Sequence, residues 1–333
     1  MMNTPLSLLI SILFLFIQDS TERKTIFEEM HYQQVLEVEI ETDIKQLKAN
    51  IKTENYQPAT ITFEDAQGNE QNWEMKIRPR GRFRRRVCTF PPVKINFDKD
   101  NLKARNYEKH DELKLVTHCT EGEESRENLL REYLVYRLYQ VISPVHYRAQ
   151  LLHIKYIDRE NNIRLKRYGI LLEDEKELSS RLNAELCEDC YSLPKDSFAQ
   201  ENLRIHSLFQ YMIGNSDWSL TMARNLKLLK DKETGEFYIA PYDFDFSGLV
   251  NTSYARPDPS MGLSSIRDRV FLGMAQSDAE LQKAIALFEA KREELLNTVD
   301  SFKLLKRSSR KDIMEYIQSF YEELEKGGIV EGK

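Results

Sequence analysis

Apolar and polar residues alternate through much of the first half of the chain, as in Val35-Leu36-Glu37-Val38-Glu39-Ile40 and Ala59-Thr60-Ile61-Thr62-Phe63. A period of two puts one set of side chains on each face of an extended backbone, so both runs predict half-buried strands. Gln67-Gly68-Asn69 signals a hairpin turn, after which Trp73, Met75 and Ile77 share one strand face while Glu74, Lys76 and Arg78 share the other. Runs at 91–97 and 112–116 predict two more strands. Between 125 and 142 the period becomes helical, with Leu130, Leu134, Leu138 and Val141 on one face, and Pro144 stops it. Strands are expected again at 151–157 and 168–172, the second running into Glu173-Asp174-Glu175. A helix over 201–213 ends at Gly214 and leads to a short hairpin, 226–229 with 237–240, turning at Thr234-Gly235. Two amphipathic helices close the chain, one ending near Phe302 and one spanning 309–327.

A strand-rich first part with one helix, then a mainly helical remainder, predicts an α+β protein with two unequal lobes. The strand-rich N-terminal lobe is expected over 30–172 and the mainly helical C-terminal lobe over 173–330. Ahead of them, residues 1–20 hold a 13-residue apolar run from Pro5 to Ile17 with no charge before Asp19. A bilayer span needs about 20 apolar residues, so a signal peptide over residues 1–18 fits best, with a membrane tether or a buried first element as alternatives. The expected location is exported or membrane-associated, the N-terminus giving association with a membrane or cell surface, and the alternative is cytoplasmic.

Charge narrows the partner classes. Among 333 residues, 48 are basic and 54 acidic, a net charge of -6 that argues against a dedicated nucleic-acid binder. No specific nucleic-acid partner is expected, and any basic function must be local. It is concentrated at 76–86, where seven of eleven residues are basic and none is acidic. The four cysteines are too few for a disulfide scaffold; only Cys187 and Cys190 are close, a weak sign of a redox or metal pair, while Cys88 and Cys119 stand alone. The six histidines show no metal-ligand spacing and no Gly-x-Ser-x-Gly occurs, which argues against zinc and nucleophilic hydrolases.

The chemistry concentrates in Gly214-Asn215-Ser216-Asp217, Arg224-Asn225 and Pro241-Tyr242-Asp243-Phe244-Asp245. In an extended backbone, Asp243 and Asp245 would project to one side and present two carboxylates to one cation. Hard oxygen ligands of this kind suit Mg²⁺, which is usually held by one or two carboxylates plus nucleotide phosphates. Asp217 would then orient or deprotonate a hydroxyl. A helix, a loop with Asp then Asn, a hairpin, and an Asp followed by an aromatic residue is the order of catalytic parts in protein kinases. The alternative is that these short polar residues only cap helices and satisfy turns.

With Arg78-Pro79-Arg80-Gly81, Pro92-Val93-Lys94-Ile95-Asn96-Phe97, the 129–136 helix segment, Tyr168-Gly169-Ile170-Leu171-Leu172-Glu173, Asn215-Ser216-Asp217 with Arg224-Asn225, and Pro241-Tyr242-Asp243-Phe244-Asp245, the chain over about 30–255 resembles the spore coat protein H (CotH-like) atypical kinases. The resemblance implies a two-lobed protein-kinase-like fold and transfer of the γ-phosphoryl group of ATP to a Ser or Thr hydroxyl of a protein. Residue by residue, Asp217 resembles the catalytic-loop Asp, Asn225 the metal-binding Asn, Asp243 the first residue of the Asp-Phe-Gly motif, and Lys94 the strand lysine on the phosphates. Glu173 falls where the family places its hinge beside adenine. Asp245 would support the Mg²⁺ ligands. Two departures stand out. Asp217 and Asn225 are eight apart, against five in ordinary kinases, and no Gly-x-Gly-x-x-Gly occurs.

In place of a glycine loop, the Arg80–Arg86 stretch, Arg80 and Arg82 in particular, could meet the triphosphate through guanidinium groups. Its alternative is a solvated edge or a docking patch for acidic or nucleic-acid partners. At 100° per residue Glu127 lies on the Leu130 face and Glu132 roughly opposite, which makes Glu127 the candidate partner of Lys94. The expected cofactors are ATP and Mg²⁺. Two further functions remain open: a nucleotide-binding pseudokinase or surface scaffold, and a metal-dependent phosphohydrolase built on Asp243 and Asp245.

Overall fold

The alternating segments do become strands, and the sheet they form closes on itself. The computed structural model describes residues 23–273, 278–327 and 329, so the apolar segment expected at 1–20 lies outside the described residues. In chain order the elements are α1 (Ile26–Met30), β1 (Val35–Glu41), α2 (Ile44–Ala49), β2 (Gln57–Glu64), β3 (Glu70–Pro79), α3 (Arg84–Val87), β4 (Val93–Phe97), α4 (Lys99–Ala104), β5 (Glu112–Val116) and α5 (Glu123–Ile142). There follow β6 (Ala149–Asp158), β7 (Ile163–Leu172), α6 (Glu175–Arg181), β8 (Ala184–Cys187), α7 (Gln200–Met212), β9 (Leu226–Asp231), β10 (Phe237–Pro241), α8 (Asp278–Ser301) and α9 (Arg307–Glu325).

Seven strands form a closed barrel in the order β1-β2-β3-β4-β5-β7-β6. Neighbours run antiparallel except β1 and β6, whose parallel pairing from Val35↔Leu151 to Glu41↔Ile157 closes the ring. This mixed barrel, followed by a helical C-terminal region, overturns the expected two-lobed protein-kinase-like α+β fold. The reason is physical: alternation specifies which face a side chain occupies but not which strand lies alongside, and the closing pair is more than a hundred residues apart in sequence.

The barrel interior is filled by the inward set of each strand, including Ile40, Ile61, Trp73, Ile95, Leu113 and Ile154, all at most 2% exposed. Gly169 on β7 belongs to the same interior. A Cβ there would stand 2.7 Å from Ile154 Cδ1 and 2.9 Å from Leu115 Cδ1, so only glycine fits without repacking. On the outside of β6 and β7, Leu151, Ile170 and Leu172 face a second core made with α5, α7, α8 and α9. A third, smaller core surrounds the three-stranded sheet β10-β9-β8 and includes Trp218, Leu226 and Ile239. No helix among the described residues is long and apolar enough to cross a membrane.

All four cysteines are paired, two of them across a separation that their isolation in sequence hides. Cys88, just after α3, is bonded to Cys119, in the connection from β5 to α5, and Cys187 is bonded to Cys190. The first bond closes a 31-residue separation and pins the arginine-rich α3 to the base of α5. Loop-closure entropy alone assigns such a crosslink about 3–4 kcal/mol. Cys119→Ser with Cys88→Ser should therefore lower the thermal midpoint by several degrees in a calorimetric scan, whereas opening Cys187–Cys190, whose loop is three residues long, should move it far less.

Candidate functional site

The chain turns into the candidate site at the C-terminus of α7. Gly214 has φ +62°, and a Cβ there would collide with the Tyr316 hydroxyl, so this sharp exit requires glycine. Its carbonyl accepts from the Gly248 amide at 2.9 Å, which ties this loop to the segment after β10. Asn215 is 2% exposed and acts as a brace. Its Nδ2 donates to Gln210 Oε1 at 2.9 Å and its Oδ1 accepts from the Asp217 amide at 3.0 Å. The brace aims Asp217 toward Asn225, whose Nδ2 donates to the Asp217 carbonyl at 2.6 Å and to Oδ2 at 2.9 Å. Arg224 Nε lies 3.4 Å from Asp217 Oδ1.

Asn225 and Asp243 meet because they flank the open end of one hairpin. Leu226 pairs with Pro241, and beyond that rung the Tyr242 amide donates to the Asn225 carbonyl at 3.0 Å. Both Asn225 (φ +56°) and Asp243 (φ +64°) are left-handed, a conformation that Asn and Asp tolerate best after glycine. The Asp243 amide donates to the Tyr136 hydroxyl of α5 at 3.0 Å. Asp243 and Asp245 therefore sit on a turn, not on the extended segment expected from their spacing.

They still converge on one cation, and it is a side chain. The Arg84 guanidinium of α3 donates to Asp243 Oδ1 at 2.9 Å, to Asp245 Oδ2 at 3.0 Å and to both oxygens of Glu132 at 2.9 Å. Side-chain exposures of 8% for Arg84, 3% for Glu132 and 5% for Asp245 leave the group dry, while Asp243 keeps 37%. Burial drives the Glu132 and Asp245 carboxyls up, against the pull of Arg84 and with the push of neighbouring carboxylates. Burial also works against the Arg84 charge, but Asp245 and Glu132 outweigh it and hold Arg84 firmly protonated. Tyr254 donates to Asp245 Oδ2 at 2.7 Å. Asp217, nearer the opening, is raised by burial and by Asp243, partly offset by Arg224 and Asn225.

Next to Asp243 along the chain, the Tyr242 ring lies under Lys114 of β5, whose ammonium is 4.6 Å from its centre. It is bonded to Glu175, which also pairs with Lys227 at 3.0 Å. Burial, aided by Arg80 and Lys227, brings the Lys114 ammonium down to about 8 despite Glu175. Burial raises Glu175, but Lys114 and Lys227 outweigh it and bring the carboxyl down to about 2. Arg80 makes no ion pair among the described residues, and its charge acts on both Lys114 and Tyr242. With Lys114 and Lys227 sharing one carboxylate and Arg80 beside them, this wall carries surplus positive charge.

Other expected residues lie elsewhere or are engaged differently. Lys94 is one strand further out, in register with Lys114, and its ammonium pairs with Glu112 at 2.7 Å. Glu127 does not reach Lys94. It accepts from the Ser309 hydroxyl at 2.6 Å and from Arg126 at 2.9 Å, joining α5 to α9. Glu173 is fully buried, held by Arg148 Nε at 2.8 Å and Arg181 Nη2 at 2.7 Å, and its own amide donates to the Arg148 carbonyl, so neither its carboxylate nor its amide is open to a base. Arg82 is exposed and lines an outer groove with Arg85 and Arg86.

Among the described residues no three His, Cys, Asp or Glu side chains form a metal site. The donor set nonetheless fits Mg²⁺ in part. Asn225 uses its Nδ2 as donor, which leaves Oδ1 to face a ligand, and Asp243 gives only Oδ1 to Arg84. Two protein oxygens plus phosphate oxygens and water are a usual Mg²⁺ shell. Asp245 is a poorer fit: its side chain is only 5% exposed against 37% for Asp243, and Arg84 and Tyr254 both donate to its Oδ2.

Sequence reasoning missed Arg84, Glu132, Lys114 and Tyr242. One signal was available: α5 carries Val135, Tyr136 and Tyr139 on the side away from Leu130, so it is buried all round and Glu132 had to be paired. Removing the guanidinium leaves the carboxylates buried and uncompensated. Arg84→Met should cost about 3–5 kcal/mol in urea unfolding at neutral pH, and Glu132→Gln clearly less. Since the folded values of Glu132 and Asp245 are raised, their contribution is full at acid pH and fades as pH climbs through those values; Glu132→Gln should flatten that part of the stability profile. Neither a protein-family model nor a curated protein matches this chain, so its functional reading rests on these side chains.

Proposed function

We propose that the protein transfers the γ-phosphoryl group of ATP to a Ser or Thr hydroxyl of a protein, in the manner of the CotH-like kinases it resembles. The observation that carries this reading is the meeting of Asp217, Asn225 and Asp243 at one hairpin end, beside the cationic wall of Arg80, Lys114 and Lys227. Phosphoryl transfer requires little else of a protein, since its catalysis is positioning and charge neutralisation. The left-handed Asn225 and Asp243 add weight, because backbone of this kind persists where the surroundings impose it.

In this reading the cationic wall receives the phosphates, with Lys114 in the role that the resemblance implies for Lys94. Mg²⁺, when bound through Asn225 and Asp243, supplies charge neutralisation between phosphate oxygens. Asp217, raised by its surroundings, orients the acceptor hydroxyl and takes its proton. Arg84 holds Asp243 against α5 so that the remaining carboxylate oxygen is presented outward. A nucleotide-binding protein without transfer is the second reading, favoured by the engagement of Asp243 with Arg84. The phosphohydrolase reading loses support, because it needs Asp245 as a ligand. The two disulfides favour an oxidising compartment and hence export.

Incubation with radiolabelled ATP, Mg²⁺ and a protein acceptor tests the proposal. Asp217→Asn should reduce transfer by about 10²–10⁴-fold while nucleotide affinity changes little; equal turnover would remove Asp217 from the role. Lys114→Met should weaken nucleotide binding more than Lys94→Met. The acid limb of kcat/KM should lie above the ordinary aspartate range, and Arg224→Gln, which removes a charge that lowers Asp217, should shift it higher still.

A further inference from the structure

The one-turn helix α3 divides its arginines between two sides. Residues two apart on a helix differ by about 200°, and here Arg84 enters the carboxylate cluster while Arg86 is exposed. Arg86 lines a groove of about 660 Å³ together with Lys52, Arg82, Arg85, Ile51 and Cys88. Four of these six side chains are cationic and none is acidic. Lys52, Arg82 and Arg86 form no ion pair among the described residues, and Glu54 approaches Arg85 only to 3.9 Å. In a chain of net charge -6, so concentrated a basic patch, with three of its four cations in no ion pair among the described residues, is a local feature with a local partner. The Cys88–Cys119 bond anchors the groove to the base of α5, so little ordering is needed on binding.

We infer that this groove binds an Asp- and Glu-rich segment of the acceptor protein and so selects hydroxyls in an acidic context. The inference rests on the phosphoryl-transfer reading for the word acceptor, but the groove itself does not depend on it. Arginine forks match carboxylates in pairs, which favours an acidic chain over a diffuse counter-charge. A nucleic acid is disfavoured because no aromatic side chain lines the groove to stack a base, and the rest of the surface would repel a long polyanion.

Fluorescence anisotropy without nucleotide, using the full chain, separates the outcomes. The probes are two short Ser-containing peptides that differ only in carrying Asp and Glu or the matching Asn and Gln, and a single-stranded oligonucleotide of similar length. The acidic peptide should bind at least tenfold more tightly than the neutral one, with an advantage that shrinks as salt is raised. Lys52→Glu with Arg86→Glu should abolish the difference, and the milder Lys52→Gln with Arg86→Gln should reduce it while leaving the thermal midpoint in place. Equal binding of the two peptides, or tighter binding of the oligonucleotide, overturns the inference. In a parallel assay with Mg²⁺ and ATP, the double variant should raise KM for the acidic peptide and spare kcat. If the peptide preference holds and no phosphate is transferred to any acceptor, the transfer reading fails and the groove assignment stands.

Discussion

Arg84 carries one positive charge into a space that holds three carboxylates, on α5, at Asp243 and at Asp245. Ionised throughout, the four groups would sum to two negative charges in a largely dry setting, an arrangement that burial penalises by several kcal/mol. Relief must come from protons or from cations entering at the one open member, Asp243. The upward displacement of Glu132 and Asp245 is the protonic form of that relief. The same guanidinium links three segments distant in sequence: the basic turn after β3, the central helix, and the turn after β10. Geometry at Asp243 is therefore inseparable from the charge balance around Arg84.

That dependence explains which parts of the molecule could be read from sequence. The barrel strands and the long helices were legible because each depends on a local period, and the 226–241 hairpin that joins Asn225 to Asp243 followed from its own turn, whereas α1 to α4, α6 and β8 are too short to show a period. The closing of the barrel was not, although its complement was written in the chain. Glu37 and Glu39 on β1 lie opposite His153 and Lys155 on β6, and the pairs meet at 2.7 and 2.6 Å. Nothing in either segment alone shows that it should seek the other in parallel. The same limit separated Lys94 from Lys114: both are single lysines between apolar neighbours, and only the stacking of β5 against Tyr242 distinguishes them.

Glu127 and Glu132 show a subtler failure. Helical geometry placed them on opposite sides of α5, and the structure agrees, yet the side judged to face the lysine leads to α9, and the other side leads to the site. Angular position tells which residues share a face and is silent about what that face meets. The cysteines follow the same logic. Cys88 and Cys119 appear solitary in sequence because their partnership is created by the approach of the β3–β4 connection to the start of α5.

The site and the outer groove thus share one short element with two duties, and the duties constrain each other. A ligand that pulls on Arg85 or Arg86 acts on a helix of four residues whose Arg84 is committed to Glu132 and Asp245, so any tilt of α3 changes the distance from the guanidinium to Asp243. The disulfide at Cys88 limits that tilt, and Phe83, packed against Phe246 at 5.1 Å between ring centres, limits it from the other end. Only a small displacement is therefore available to α3. Charge makes a small displacement felt, because a guanidinium–carboxylate contact near 2.9 Å loses about a quarter of its Coulomb attraction over the first further ångström, a large energy in a dry setting. A loosened Arg84 would leave the Asp243 carboxylate with less of the positive charge that compensates it. The outer groove and the charge balance at Asp243 are in this way tied through one short helix.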